Sequence, residues 1–195
     1  MTGFGRTGRM FASEYEGVIP DIMVLGKGLT GGYLPLAITL ISEKLLSAFD
    51  GSVANGKALA YGHSYTGNAV GCAAAKASLE VFENERVLEA LEPKIRYLSS
   101  ALAGLKELPG VSEVRQCGFI AGIETSRAEM AVATCIEAWR HGLLTRPIWN
   151  VVFMPPLCIT MAQLRKAVEA LRTSIIEVWR WTNNSGRKDA EEITA

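Results

Sequence analysis

The chain has no long apolar run, no excess charge of either sign and few residues that bind metals. Its 195 residues include 20 Lys and Arg against 20 Asp and Glu, with 4 Cys and 2 His. Balanced charge without a basic cluster argues against nucleic-acid or anionic-membrane partners. No stretch reaches membrane-spanning length, and the first residues lack the basic and then apolar pattern of a signal peptide. We therefore expect a cytoplasmic globular protein.

The cysteines are widely separated and include no Cys-x-x-Cys pair. They are Cys72, Cys117, Cys135 and Cys158. This spacing predicts reduced, mostly buried thiols and argues against a zinc site. Neither His63 nor His141 has metal-ligating neighbours in the sequence, so the sequence predicts no metal site.

Residues 20–35 bring an apolar run against a lysine in a glycine-rich turn. Residues 22–25 are all apolar and are followed by Gly26, Lys27 and Gly28. A short run that is apolar on both faces predicts a strand buried inside a parallel sheet. Lys27 would then follow the carboxyl end of the strand, the edge at which open α/β sheets bind ligands.

Lys27 allows two interpretations from its surroundings alone. An amine at the rim of an apolar strand is favoured in its neutral form, which can form a Schiff base with a carbonyl cofactor. The neighbouring glycines leave room for a flat, bulky group to approach. The alternative is a surface lysine in a glycine-rich turn, and spacing alone favours that alternative.

Two motifs around this stretch resemble a known enzyme family. Residues 2–8 read Thr-Gly-Phe-Gly-Arg-Thr-Gly, and residues 20–32 contain Pro-Asp-Ile and then Gly-Lys-Gly-Leu-Thr-Gly-Gly. Together they resemble the signature of class III aminotransferases, which are fold-type I enzymes that use pyridoxal 5′-phosphate. The resemblance implies an α/β fold, and Lys27 matches the catalytic lysine that holds the cofactor covalently in that family.

Two further segments are similar to one branch of the family. Residues 61–68 read Tyr-Gly-His-Ser-Tyr-Thr-Gly-Asn, and Arg146-Pro147 is followed by Met-Pro-Pro-Leu-Cys-Ile-Thr at residues 154–160. They resemble enzymes that transfer an amino group to 8-amino-7-oxononanoate in biotin biosynthesis, with S-adenosylmethionine as the donor. The resemblance implies two small-molecule substrates and a homodimer.

The segment at residues 61–68 has a proposed role in that dimer. The resemblance implies that Ser64, with the backbone of Gly62 and His63, binds the phosphate of the neighbouring subunit's cofactor. Gly62 and Lys27 are also expected to contact the substrate. An anion is well placed at a glycine-containing turn before a helix, where N–H groups converge. Without the resemblance, a helix cap is the preferred interpretation of Ser64.

Two arginines are candidates for the site. Arg146 precedes Pro147, which predicts a strand end with a fixed backbone, and its planar guanidinium can bind a carboxylate. The resemblance implies that Arg146 holds the carboxylate of 8-amino-7-oxononanoate; a structural ion pair is the alternative. Arg6, in the glycine-rich opening loop, either orients the active site or bonds to backbone carbonyls.

The chain departs from the family pattern in two places. The segment before Met154 is one residue short and lacks a Tyr associated with the amino-donor pocket, and Trp149 stands where glycine is common. Losing one residue from a strand moves every later side chain to the opposite face of the sheet, unless a bulge compensates for the missing residue. The Asp that pairs with the cofactor's pyridine nitrogen and the glycine-serine phosphate loop are also absent, so the chain resembles the carboxyl half of the family.

The predicted organisation is a large-domain portion followed by a small domain. Residues 1–85 are assigned to the carboxyl part of the cofactor-binding domain, 86–182 to a small α+β domain and 183–195 to a polar tail. In the small domain the predicted order is helix, two strands, helix, strand, helix. Capping boxes at Ser126-x-x-Glu129 and Thr160-x-x-Gln163 are predicted to begin the last two helices.

Three functions remain open from the sequence. The first is the transamination of 8-amino-7-oxononanoate to 7,8-diaminononanoate. The second is another class III aminotransferase acting on an ω-amino acid or a diamine. The third is a remnant without activity, which the absent Asp and phosphate loop favour.

Overall fold

The computed structural model describes residues 1–59 and 61–192, with side chains to residue 183. The chain divides into two compact units, Met1–Glu89 and Ala90–Ala195. This division falls near the predicted boundary at residue 85, while the assignment of each part to a named domain stays a prediction.

The first unit contains a strand hairpin, a long helix and several short 3-10 turns. The strands and α-helices are β1 (Ile22–Leu25), β2 (Ile38–Ile41), α1 (Glu43–Leu46) and α2 (Ala69–Asn84). The 3-10 turns are Ala12–Tyr15, Lys27–Thr30, Ser47–Phe49 and Val53–Asn55. Asn68 begins α2, since its side chain accepts hydrogen bonds from the N–H groups of Val70 and Gly71.

The prediction that β1 lies inside a parallel sheet is wrong. β1 pairs antiparallel with β2, so that Ile22 lies opposite Ile41 and Val24 lies opposite Thr39. Only Leu25 of this strand is buried, and Val24 is 72% exposed. An apolar run specifies extended structure but not its pairing partner, and here the chain turns back after Lys27 to lay β2 beside it.

The core of the first unit lies under one face of this hairpin. Its buried members are Phe4, Leu25, Leu29 and Ala75. Phe4 contacts Phe11 edge to face, with ring centroids 5.8 Å apart. The opening loop, the strand and the turn that follows Lys27 are therefore held together by one small apolar cluster.

The second unit is an antiparallel sheet with helices. The elements are α3 (Val87–Lys106), β3 (Val111–Cys117), β4 (Ile120–Thr125), α4 (Ala128–Arg140), β5 (Arg146–Ile148), β6 (Asn150–Phe153) and α5 (Met161–Glu192). The strand order is β3-β4-β6-β5. The predicted α+β arrangement is found with one more strand than expected, because residues 146–153 form a hairpin. Helix α5 continues through the predicted polar tail as far as Glu192.

One predicted capping box is confirmed and the other is wrong. Thr160 N donates to Gln163 Oε1 at 2.9 Å, and Gln163 N donates to Thr160 Oγ1 at 3.2 Å. At the start of α4, Arg127 is instead the residue before the helix and makes no side-chain cap. Thr125 Oγ1 donates to the Arg127 carbonyl at 2.8 Å, which shifts the start by one residue from the predicted box.

The prediction of mostly buried cysteines is also wrong. Cys72, Cys117 and Cys158 are exposed free thiols, and only Cys135 is buried. Burial raises the pKa of the Cys135 thiol to about 11. Wide spacing in the sequence excludes a local pair but says nothing about whether a cysteine faces the core or the solvent.

The described residues include two helices of twenty or more residues, α3 and α5. No helix there combines the length and the apolar character that crossing a bilayer requires.

Candidate active site

Lys27 lies directly beyond β1, at the first position of the 3-10 turn Lys27–Thr30. Its φ is +54°, in the left-handed region that costs a non-glycine residue about 1–2 kcal/mol. The side chain is exposed, and within the described part of the chain its ammonium has no hydrogen-bond or ion-pair partner. The turn therefore presents a free amine on a strained backbone, a combination found at functional positions.

The residues after Lys27 attach the turn to the core of the first unit. Leu29 and Thr30 are buried, and Thr30 Oγ1 donates to the Leu34 carbonyl at 2.6 Å. Gly31 ends the turn with a φ of +62°, and its N–H bonds to the Gly28 carbonyl at 3.0 Å. Leu29 is thus buried in the small core while Lys27, two residues earlier, is exposed.

Gly28 is required by a close approach of the opening loop. A Cβ added at Gly28 would lie 2.8 Å from Cβ of Phe4, closer than real contacts allow. Helix α2 also contacts Gly28, since Ser78 Oγ donates to the Gly28 carbonyl at 3.3 Å. Sequence reasoning missed Ser78, whose only signal is its place on the small-residue face of α2.

A cleft of about 210 Å³ lies beside Lys27. The opening loop lines it with Thr2, Phe4 and Ser13, and the end of β1 lines it with Leu25. None of the residues that line this cleft carries a carboxylate or a guanidinium. The cleft thus offers a primary amine, hydroxyls and apolar surface, which fits the attachment of a carbonyl cofactor but supplies no acid for a pyridine nitrogen.

The segment with Gly62, His63 and Ser64 forms an exposed turn before α2. The His63 carbonyl accepts from Thr66 N at 2.9 Å, and His63 Nδ1 accepts from Tyr65 N at 3.1 Å. Because Asn68 caps α2, Ser64 is not the cap, and its hydroxyl has no partner among the described residues. No described contact joins this turn to Lys27.

Arg146 lies in the second unit, as the first residue of β5. Its backbone lies opposite Val152 of β6, and Thr145 Oγ1 donates to the Val152 carbonyl at 2.6 Å. The guanidinium is exposed and has no ion-pair partner in the described part of the chain, so the alternative of a structural ion pair finds no support there. The structure fixes the backbone of Arg146 and leaves its side chain available to a ligand.

Trp149 occupies the turn between β5 and β6. Ile148 and Asn150 on either side of it pair with each other, and Trp149 has a φ of +63°. The side chain is 89% exposed. A left-handed single-residue turn suits glycine, which accounts for the glycine that the family pattern places here.

Arg6 is half-buried in the opening loop. Burial lowers the pKa of its guanidinium because the charged form loses hydration. It does not line the cleft beside Lys27.

Comparison with known proteins identifies the family. The profile described as Aminotransferase class-III matches residues 1–175. The chain belongs to the class III aminotransferases. The α/β fold-type I architecture is thereby confirmed, and enzymes of this family are pyridoxal-phosphate-dependent transferases.

Similar class III aminotransferases include enzymes named for one substrate pair. An adenosylmethionine-8-amino-7-oxononanoate aminotransferase from Nitratidesulfovibrio vulgaris is 47% identical over 188 residues, covering 90% of this chain and 35% of the relative. The crystal structure of the Methanocaldococcus jannaschii enzyme of that name has a TM-score of 0.85 and 41% identity, covering 90% of this chain and 44% of that one.

A solved structure with a different name, an omega transaminase, has a similar fold. A thermostable omega transaminase 6-fold mutant from Pseudomonas jessenii has a TM-score of 0.86 and 33% identity, covering 92% of this chain and 43% of that one. The chain spans about two fifths of the length of these solved relatives.

Proposed function

We propose that this chain carries the cofactor lysine of an aminotransferase that converts 8-amino-7-oxononanoate to 7,8-diaminononanoate in biotin biosynthesis. Sequence identity is the observation that carries this proposal. The solved M. jannaschii enzyme named for this substrate is 41% identical, whereas the omega transaminase is 33% identical, at nearly equal TM-scores of 0.85 and 0.86. S-adenosylmethionine is the proposed amino donor, and the cytoplasm the proposed location.

Lys27 is the proposed catalytic residue. Its exposed amine at the mouth of the cleft fits covalent attachment of pyridoxal 5′-phosphate, which supplies an electron sink when it is bound. The Nζ atom of Lys27, when it is free, would act as the base that takes up the proton from the amine-bearing carbon of the donor. Gly26 and Gly28 keep side chains off the backbone on either side of Lys27.

The turn at Gly62, His63 and Ser64 is the proposed phosphate-binding element of a homodimer. Support comes from the exposed Ser64 hydroxyl, which no cap uses, and from its place shortly before the N-terminus of α2. Such a turn offers N–H and O–H donors to an anion. No described contact joins this turn to Lys27 of the same chain, which agrees with a turn that binds the cofactor of the partner subunit. Gly62 and Lys27 are also the proposed contacts to the substrate.

Arg146 is the proposed anchor for the carboxylate of 8-amino-7-oxononanoate. Its side chain is exposed, and the paired start of β5 holds its backbone. A guanidinium in this position can make two parallel hydrogen bonds to a carboxylate, which a lysine cannot reproduce.

Two alternatives have an observation in their favour. The TM-score of 0.86 with an omega transaminase, together with the missing Tyr near Phe153, favours a class III enzyme for an ω-amino acid or diamine. The cleft's lack of a carboxylate favours a chain that turns over little or nothing by itself, because no lining group can keep the pyridine nitrogen protonated.

Reductive trapping tests the role of Lys27. The purified chain is mixed with pyridoxal phosphate, reduced with borohydride and mapped by mass spectrometry. We expect near-stoichiometric labelling at Lys27, loss of that label in Lys27→Ala, and no change in Lys57→Ala, which removes an exposed lysine elsewhere in the same unit. Weak labelling scattered over many lysines would refute the proposal.

Turnover separates the three functions. Product formation is measured with 8-amino-7-oxononanoate and S-adenosylmethionine, and in parallel with ω-amino acid donors. Labelling at Lys27 without turnover would identify a folded half-site that lacks activity alone. Robust turnover with S-adenosylmethionine would instead show that activity does not need a carboxylate in the cleft. Turnover only with ω-amino acids would favour the class III enzyme for an ω-amino acid or diamine.

A further inference from the structure

His141 lies between two carboxylates on neighbouring helices of the second unit. Its Nε2 atom is 2.8 Å from Glu177 Oε2 and 3.8 Å from Glu137 Oε1. One ligating atom from each of the three residues can be chosen so that all lie within 4.8 Å of one another. The sequence predicted no metal site because Glu177 is 36 residues from His141 and only the fold brings them together.

The helices that carry these side chains hold them in place. Glu137 and His141 are four residues apart on α4 and its cap, so they lie on the same face. Glu177 comes from α5, which packs against α4. The adjacent residues Ala138 and Val178 are fully buried, so the backbone beneath the three ligands is part of the core.

Neighbouring groups orient Glu137 and add the field of a helix end. Arg140 Nη1 donates to Glu137 Oε2 at 2.6 Å, which orients that carboxylate and leaves Oε1 facing His141. Such outer hydrogen bonds are how proteins fix metal-ligating side chains. His141 is also the cap at the carboxyl end of α4, where the helix dipole favours positive charge.

We propose that Glu137, His141 and Glu177 form a site for a divalent cation of the Zn²⁺ type. Zinc bonds of about 2.0–2.2 Å place tetrahedral ligands about 3.3–3.6 Å apart, and the His141 distances of 2.8 and 3.8 Å lie on either side of that range. Small side-chain rotations would centre the ion. One imidazole with two carboxylates suits zinc better than Ca²⁺ or Mg²⁺, which prefer all-oxygen sites.

The site has an open side. Side-chain exposure is 13% for Glu137, 32% for His141 and 42% for Glu177, so the ion can enter and keep a water as its fourth ligand. The bound ion would clamp α4 to α5. This role is independent of the amine chemistry proposed at Lys27.

Zinc binding by the chain tests this site. Because Cys72, Cys117 and Cys158 are exposed and thiolates bind zinc, the native protein is first treated with N-ethylmaleimide. Zn²⁺ is then titrated at neutral pH against a chromophoric chelator. We expect one saturable site, with affinity at least about tenfold weaker in His141→Ala and Glu177→Gln. The control Glu169→Gln changes an exposed carboxylate on α5 and should leave affinity unchanged.

A zinc-dependent stability measurement separates ligation from an ordinary ion pair. At one fixed zinc concentration, zinc should raise the thermal unfolding midpoint of the blocked wild-type chain and of Glu169→Gln by similar amounts, and that of Glu177→Gln by clearly less. If His141 only hydrogen-bonds the two carboxylates, the variants will be less stable with no dependence on zinc. That outcome, or zinc binding that survives His141→Ala, would overturn the proposal.

Discussion

Single residues with a positive φ show where the chain tolerates strain. Lys27 and Trp149 both have left-handed backbones, with φ of +54° and +63°. Lys27 is the proposed cofactor residue, so its strain accompanies a function. Trp149 is an exposed turn residue with no such role, so its strain should be removable.

Replacement of Trp149 by glycine should stabilise the second unit. Trp149→Gly is expected to raise the free energy of unfolding by about 1 kcal/mol, because glycine adopts a left-handed backbone without a Cβ clash. Trp149→Ala is the matched control, since it removes the exposed ring and keeps the Cβ. Urea unfolding followed by circular dichroism measures both. Equal stabilities for the glycine and alanine variants would show that backbone strain is not the cause.

Sequence reasoning succeeded for single residues where local chemistry decides the outcome. Lys27 follows a strand as expected, because the glycines on either side of it end the apolar run. Its role as a cofactor residue came from resemblance and not from spacing. The contacts of Ser78 with Gly28 and of Glu177 with His141 were not predictable, because each joins residues far apart in the sequence.

For helices and strands, too, the sequence predicted the features that depend on neighbouring residues and failed for those that depend on distant ones. The capping box at Thr160 formed because its two hydrogen bonds involve residues three apart. The predicted box at Ser126 did not, because the Thr125 hydroxyl bonds the Arg127 carbonyl and the helix begins one residue later. The pairing of β1 was mispredicted for a related reason: four apolar residues predict a strand but not its neighbour.

The two capping sequences give a direct test. Thr160→Ala should lower the free energy of unfolding by about 1 kcal/mol, because the N–H of Gln163 at the start of α5 loses its acceptor. Ser126→Ala should change it by less than about 0.5 kcal/mol, as for surface positions without such a contact. Urea unfolding of the two variants and the wild type measures both changes. Similar losses at Thr160 and Ser126 would contradict the assigned helix starts.

At the scale of the whole chain, buried apolar surface is unevenly divided. In the first unit the buried apolar side chains are Phe4, Leu25, Leu29 and Ala75, while Val24 and other large apolar residues stay exposed. In the second unit, α5 alone buries Leu164, Leu171, Ile175 and Val178 completely. Since burial of apolar surface is the main favourable contribution to folding, the second unit should be the more stable one.

Hydrogen exchange measures this difference strand by strand. We compare β1 (Ile22–Leu25), which pairs with β2, with β4 (Ile120–Thr125), which pairs with β3 and β6 and carries buried side chains. Only amides that are hydrogen-bonded to a neighbouring strand enter the comparison, so that the difference in pairing does not decide the result. Amides of β4 should exchange at least about a hundredfold more slowly than those of β1, because local opening of a thin core needs less free energy. Comparable protection of the two strands would mean that the hairpin's hydrogen bonds, and not the buried apolar area, set the stability of the first unit.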